Sequence, residues 1–192
     1  MEHITFTIKG VAPLIQHNGR MANPADEYAR AIKKVSSKRK KVDADYEEMA
    51  RLEFLGALYV NRENRIIMPS YVLEACLIGK GGAARKERSG KEAAAGLFIQ
   101  DDSILEYGDN KTPDELWEDE IYRFVAMVKV GQARIARTRP IFLTWGLEFT
   151  VNFNAGIVDR ESIIRWAQLA GEEVGLCDWR PRYGRFDVVN IE

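Results

Sequence analysis

The chain opens on a strict alternation. Ile4, Phe6 and Ile8 fall on one face and Thr5, Thr7 and Lys9 on the other, the period of a strand buried on one side only. Pro13 and the Asn18-Gly19 pair break it into a loop. Asn23-Pro24 reads as an N-cap followed by proline at the first helical position, which predicts a helix over 24–35. Beyond Ser36-Ser37 and the run Lys38-Arg39-Lys40-Lys41, Asp43 caps a second expected helix over 44–57, with Met49, Leu52 and Leu55 on its apolar stripe. Leu58-Tyr59-Val60 and Arg65-Ile66-Ile67-Met68 are short β-like runs that suggest a small hairpin. Pro69-Ser70 starts a helix over 71–78, which ends in Gly79-Lys80-Gly81-Gly82, and a basic, glycine-bearing segment continues to Lys91.

The pattern changes over 97–120. Nine carboxylates stand there against Lys111 alone, so an acidic, largely exposed insertion is expected, with one short helix near 113–117. Regularity returns with strands over 122–130 and 133–137, turned at Gly131. Next come Leu147, Phe149, Val151 and Phe153, alternating with Glu148, Thr150 and Asn152. Asp159 caps a helix that carries Ile163, Ala167, Ala170 and Val174 on one face, Gly175 ends it, and a final strand runs over 185–191. Strand, helix and strand thus close the chain. The simplest assembly is one α+β domain over 1–192, ferredoxin-like, with an antiparallel sheet, helices on one face and large insertions, 97–120 among them.

Composition narrows the function only by exclusion. Apolar residues make up 46% of the chain and no run of them reaches the length of a bilayer span, so a globular protein outside the membrane is expected. The first ten residues carry no basic or apolar leader pattern. Cys76 and Cys177 lack metal or redox spacing and read as reduced thiols in the core. Both signs point to a cytoplasmic location. Only His3 and His17 are present, with no HxH or HxxxH spacing, so no metal or other cofactor is expected. Neither GxSxG nor a Walker motif is written here. The glycines at 79–82 read as a helix end and the Asp101-Asp102 pair as a solvated loop. His17, in the loop after the first strand, is the one candidate for catalysis, as a general base.

The basic segments carry more. With 28 basic side chains against 29 acidic ones, overall charge does not argue for a polyanion partner, and the placement of charges has to. Lys38, Arg39, Lys40 and Lys41 form one cluster. Lys80, Arg85, Lys86 and Arg88 form a second, and both are expected to be mobile arms that order on binding. Arg134, Arg137 and Arg139 alternate along a strand. Trp179, Arg180, Arg182, Tyr183 and Arg185 interleave guanidinium groups with rings. Arginine neutralises phosphate and a ring gives any base a stacking platform, so the last pattern suits single-stranded DNA or RNA. Segregated acidic and basic segments also suit head-to-tail contacts between copies, or an acidic insertion that covers its own basic groove.

The segment from Arg65 through Pro69-Ser70 to Ala75 resembles the proline, small residue, helix turn of the RAMP superfamily, ferredoxin-like RNA-binding proteins that form the backbone of CRISPR effector complexes. The stretch from Leu147 through the helix to Gly184-Arg185-Phe186 is similar to that family's closing strand, helix, loop and strand. Together these cover about half the chain. Ser70 and Glu74 stand where the family usually has a glycine and a basic residue. The resemblance implies a non-enzymatic protein, free-standing or phage-encoded, that coats single-stranded nucleic acid as a homo-oligomer. Two other functions remain open: an RNA endonuclease of the same fold using His17, and a structural, virion or inhibitory module that binds proteins.

Overall fold

The computed structural model describes residues 1–192, with every side chain except that of Val130. The chain is α+β and its sheets are antiparallel. It begins with β1 (Glu2–Gly10) and β2 (Leu14–Ile15), a 3-10 turn at Gly19–Ala22, α1 (Glu27–Ser36) and α2 (Asp43–Ala57). Then come β3 (Ile67–Met68), α3 (Ser70–Leu77), α4 (Ala83–Lys86), α5 (Gly90–Gly96), β4 (Leu97–Phe98) and β5 (Ser103–Ile104). The chain continues through α6 (Pro113–Glu118), β6 (Arg123–Val130), β7 (Ala133–Phe142) and β8 (Gly146–Phe153). It ends with α7 (Arg160–Leu169), a π-helical turn at Ala170–Val174 and β9 (Phe186–Ile191).

Two compact units are built from this order. The first comprises Met1–Leu14, Ile67–Asp109 and Phe142–Glu192, the second Ile15–Ile66 and Asn110–Ile141. The acidic stretch 97–120 is therefore divided between them. Its apolar residues Leu97, Ile99, Leu105, Leu116 and Trp117 are buried, while Asp101, Asp102, Glu106, Asp109, Asp114, Glu115, Glu118 and Glu120 are exposed. That is the usual fate of an apolar periodicity running through a charged segment.

The first unit is organised by a four-stranded sheet in the order β4-β8-β1-β9. Phe6 pairs with Phe149 and Ile8 with Leu147 across β1 and β8, and the two phenylalanine rings stack 5.3 Å apart. Ile4, Phe6, Ile8, Val151 and Phe153 are all but inaccessible. The alternation read in the sequence therefore becomes one fully buried face. The opposite face of β1 and β8 carries His3, Thr5, Thr7, Lys9, Glu148, Thr150 and Asn152. Trp145 anchors the end of the sheet. It is 1% exposed, its indole N–H donates to the Ala12 carbonyl at 2.8 Å, and a Cβ at Gly10 would overlap its ring. Ile67 and Met68 pair with β5, and Pro69 caps α3 directly after them. The segment 80–91 is not an extended arm: it contains α4 and the start of α5, with Ala83, Ala84 and Gly90 buried.

In the second unit α1 packs on α2, where Gly56 gives room to Met21 and Tyr28. Phe54 of α2 meets Trp117 of α6 edge-on at 5.5 Å, and Arg51 reaches Asp114 at 2.7 Å. β6 and β7 form a hairpin turned at Gly131, whose φ of 61° suits glycine. Helix α1 starts three residues later than the Asn23-Pro24 signal predicts. Asp26 is its N-cap, accepting the Tyr28 N–H at 2.9 Å, and Arg20 grips the same carboxylate at 2.8 Å. Asn23 instead accepts from Ala25 N–H and closes a turn. Among the described residues no helix is long and apolar enough to cross a membrane.

Candidate nucleic-acid interface

The loop between the π-helical turn and β9 is the most elaborate irregular segment of the first unit. Gly175 leaves the helix at φ 76°, and Cys177 and Trp179 also sit at positive φ, a backbone that non-glycine residues seldom adopt. The loop is closed at its base. Leu176 N–H donates to Gly184 carbonyl at 2.9 Å, and Gly184 N–H to Pro13 carbonyl at 2.8 Å. Gly184, at φ 71°, lies so close that a Cβ would overlap the Leu176 carbonyl oxygen. From below, Cys76 of α3 donates its thiol to Gly175 carbonyl at 3.2 Å, and Cys177 packs its sulfur 3.6 Å from Met68. Burial pushes the Cys76 thiol up to about 12, against the opposing pull of the Arg180 charge. Both cysteines are free thiols.

On this base the loop displays its rings and charges. Trp179 is 40% exposed and meets Tyr183 edge-on at 5.9 Å. The Arg182 guanidinium lies 5.9 Å from the Tyr183 ring centre, within cation–π reach. Arg180, Arg182 and Arg185 are exposed, and Arg185 donates to the Glu172 carbonyl. The other three tryptophans, Trp117, Trp145 and Trp166, are 6% exposed or less. An indole left open beside exposed guanidinium groups is therefore a departure from how this chain treats tryptophan.

The second basic segment approaches the same turn. Lys86 of α4 pairs with Glu173 at 3.0 Å, while Arg185 takes the carbonyl of the preceding residue. Two clusters almost a hundred residues apart in sequence thus flank Ala170–Val174. Lys80 and Arg88 are exposed nearby in the chain, and Arg85, Arg88 and Lys91 line a shallow cleft of about 350 Å³ around Gly90. Glu87, between them, is engaged by Arg165 at 2.9 Å and by the Trp166 indole N–H at 2.9 Å.

The remaining candidates fall in the second unit. Lys38 to Lys41 lie between α1 and α2. Lys38 pairs with Asp45 and Lys41 donates to the Lys38 carbonyl at 3.0 Å, while Arg39 and Lys40 are exposed. Arg137 and Arg139 share one face of β7, and Arg134 lies on the other, opposite Lys129 of β6. Arg137 and Arg139 line a cavity of about 460 Å³ together with His17, Glu53, Thr138 and an apolar wall. Glu53 is 6% exposed. It pairs with Arg137, and its second oxygen accepts the Thr138 N–H at 3.1 Å. Sequence reasoning missed Glu53. The available signal was a charged residue inside the apolar run Leu52 to Val60, where burial demands a partner. No family model matches the chain, and no curated protein matches it.

Proposed function

We propose that this protein binds single-stranded nucleic acid without cleaving it, through the loop 175–185 and the adjoining basic residues of α4. The observation that carries this reading is Trp179, held half-open at positive φ against Tyr183 and flanked by exposed Arg180 and Arg182. Arginine supplies the salt-sensitive attraction to phosphate, and an open ring supplies a stacking surface that tolerates any base. The open face of β1 and β8 carries no Phe, Tyr or Trp, and the sheet's exposed ring on that side is Phe98 of β4, paired with Asn152 and without an arginine beside it in sequence, so the arginine-flanked loop is the favoured stacking element.

A ferredoxin-like identity for the first unit belongs to the same proposal. The order β4-β8-β1-β9 supports it: β8 lies between β1 and β4, and β1 lies between β8 and β9, with every neighbouring pair antiparallel. That is the arrangement of two interleaved split βαβ units. The step from β3 through Pro69 into α3 supports the likeness to the RAMP superfamily, and with it assembly of copies along one strand. The outer edge of β6, where Val125 and Met127 are more than 60% exposed, is a surface such assembly can use.

Fluorescence anisotropy with labelled single-stranded RNA, single-stranded DNA and duplex DNA tests the reading. Both single strands should bind more tightly than duplex. Arg180→Ala with Arg182→Ala should weaken binding on every sequence and reduce the salt slope by about two, one for each phosphate that the missing guanidinium groups would have neutralised. Unchanged affinity in the double variant would remove the loop from the site.

A further inference from the structure

We infer that the cleft around Gly90 in the first unit is a binding site for a phosphate monoester, recognised by its two negative charges. The cleft has a volume of about 350 Å³, at the small end of the range for small-ligand sites. Arg85, Arg88, Gly90, Lys91 and Glu92 line it. The lining thus holds three cationic side chains against one carboxylate, a surplus of two positive charges. An ionised phosphate monoester carries close to two negative charges at neutral pH, whereas a diester within a strand carries one. No ring stands among these lining residues, so the cleft offers a base nothing to stack on and reads the phosphate alone.

The chain does not neutralise these cations itself. Glu87, the carboxylate between Arg85 and Arg88 in sequence, is taken by Arg165 at 2.9 Å and by the Trp166 indole N–H at 2.9 Å. Among the described residues the exposed side chains of Arg88 and Lys91 have no ion-pair or hydrogen-bond partner, and Glu92 pairs with neither. Arg85 uses one of its five N–H groups, donating from Nε to the Ile78 carbonyl at 3.3 Å, and the others remain for a ligand. Gly90 makes this placement possible, since a Cβ there would overlap the Arg85 stem. Arg88 sits at φ 65° just beyond the end of α4, a position where glycine or asparagine is the ordinary choice. Backbone of that kind in other residues clusters at ligand sites.

Titration of the full chain with methyl phosphate and dimethyl phosphate, followed by amide NMR, tests the assignment without any strand. Methyl phosphate should shift the amides of residues 85–92 and bind at least about fivefold more tightly than the diester, which has one charge fewer. Arg88→Asn, which suits the backbone at φ 65°, should weaken methyl phosphate about tenfold, and Gly90→Ala should weaken it by displacing Arg85. The order of the two probes in the unaltered chain needs no variant. Oligo(U) with and without a 5′-phosphate then identifies the source of the monoester. Tighter binding of the phosphorylated strand places a strand end in the cleft, and equal binding of the two strands assigns the cleft to a small phosphorylated molecule. Methyl phosphate bound here by a chain that binds neither strand would sink the single-strand reading and leave this one standing. Equal binding of methyl and dimethyl phosphate, shifts only outside 85–92, or an Arg88→Asn chain that binds methyl phosphate unchanged would overturn the proposal.

Discussion

Asp159 shows how much single carboxylates contribute to this fold. It accepts the Ser162 N–H at 2.8 Å and the Ser162 hydroxyl at 2.9 Å, and these bonds hold its carboxyl below the ordinary value of 3.8. Asp45 is lowered by Lys38 and then by the Val42 N–H, and Glu115 by the N–H and hydroxyl of Thr112. In each case the folded state binds the proton less readily than the unfolded chain. The stabilisation is present above the unfolded value and is lost as pH falls through the lower, folded one. Urea midpoints should therefore fall as pH drops below about 4. Asp159→Asn, which keeps an oxygen to cap α7 but carries no charge to titrate, should show a shallower acid limb. An unchanged limb would mean that Asp159 does not couple to folding. The cap at Asp159 is legible in the sequence because the partner is three residues away, and the cap at Thr112, at the same spacing, was missed. The ion pairs are not legible. Arg137 finds Glu53 across 84 positions and Lys86 finds Glu173 across 87, separations that no local pattern encodes.

At the scale of elements, periodicity predicts best where one face is buried. β1, β6, β8 and α7 follow their alternation or their 3.6-residue stripe to within a few residues, while β7 starts at Ala133 as expected but runs on to Phe142 rather than ending at Arg137. The departures have local causes. Proline at the first helical position is a good start signal, yet Asp26, gripped by Arg20, outcompetes Asn23 as the cap of α1. The expected hairpin over 58–68 survives as a single bridge between Val60 and Ile66, because Ile67 and Met68 pair with β5 instead. The stripe on α7 continues past Leu169 into a π-helical turn, and Gly171 there is pressed against Phe186 of β9, where any Cβ would collide. The loop that follows depends on Gly184 in the same way. Gly184→Ala places a side chain at φ 71° against the Leu176 carbonyl. It should lower the urea midpoint by an amount equivalent to about 1–3 kcal/mol and weaken binding of single strands together with it. Loss of stability with full binding would separate the loop's shape from its function.

For the whole molecule, the division into two units has a consequence for function. Of the four basic segments, two lie in the first unit and converge on Ala170–Val174, and two lie in the second, where Arg137 and Lys38 are tied to carboxylates of their own unit. The sequence showed the charges but not this sorting, which depends on a chain that leaves the first unit after Leu14 and again after Asp109. The proposed polyanion site is accordingly placed in the first unit, around the one tryptophan that is exposed among the described residues. Its emission reports directly on that assignment, since Trp117, Trp145 and Trp166 are 6% exposed or less. The decisive measurement is tryptophan fluorescence during titration with oligo(U) and oligo(dT) at low and high salt. Stacking of bases on Trp179 predicts quenching of the long-wavelength emission that saturates, is reversed by salt and disappears in Trp179→Phe. Emission that stays unchanged throughout the titration, or quenching that persists in Trp179→Phe, would contradict it.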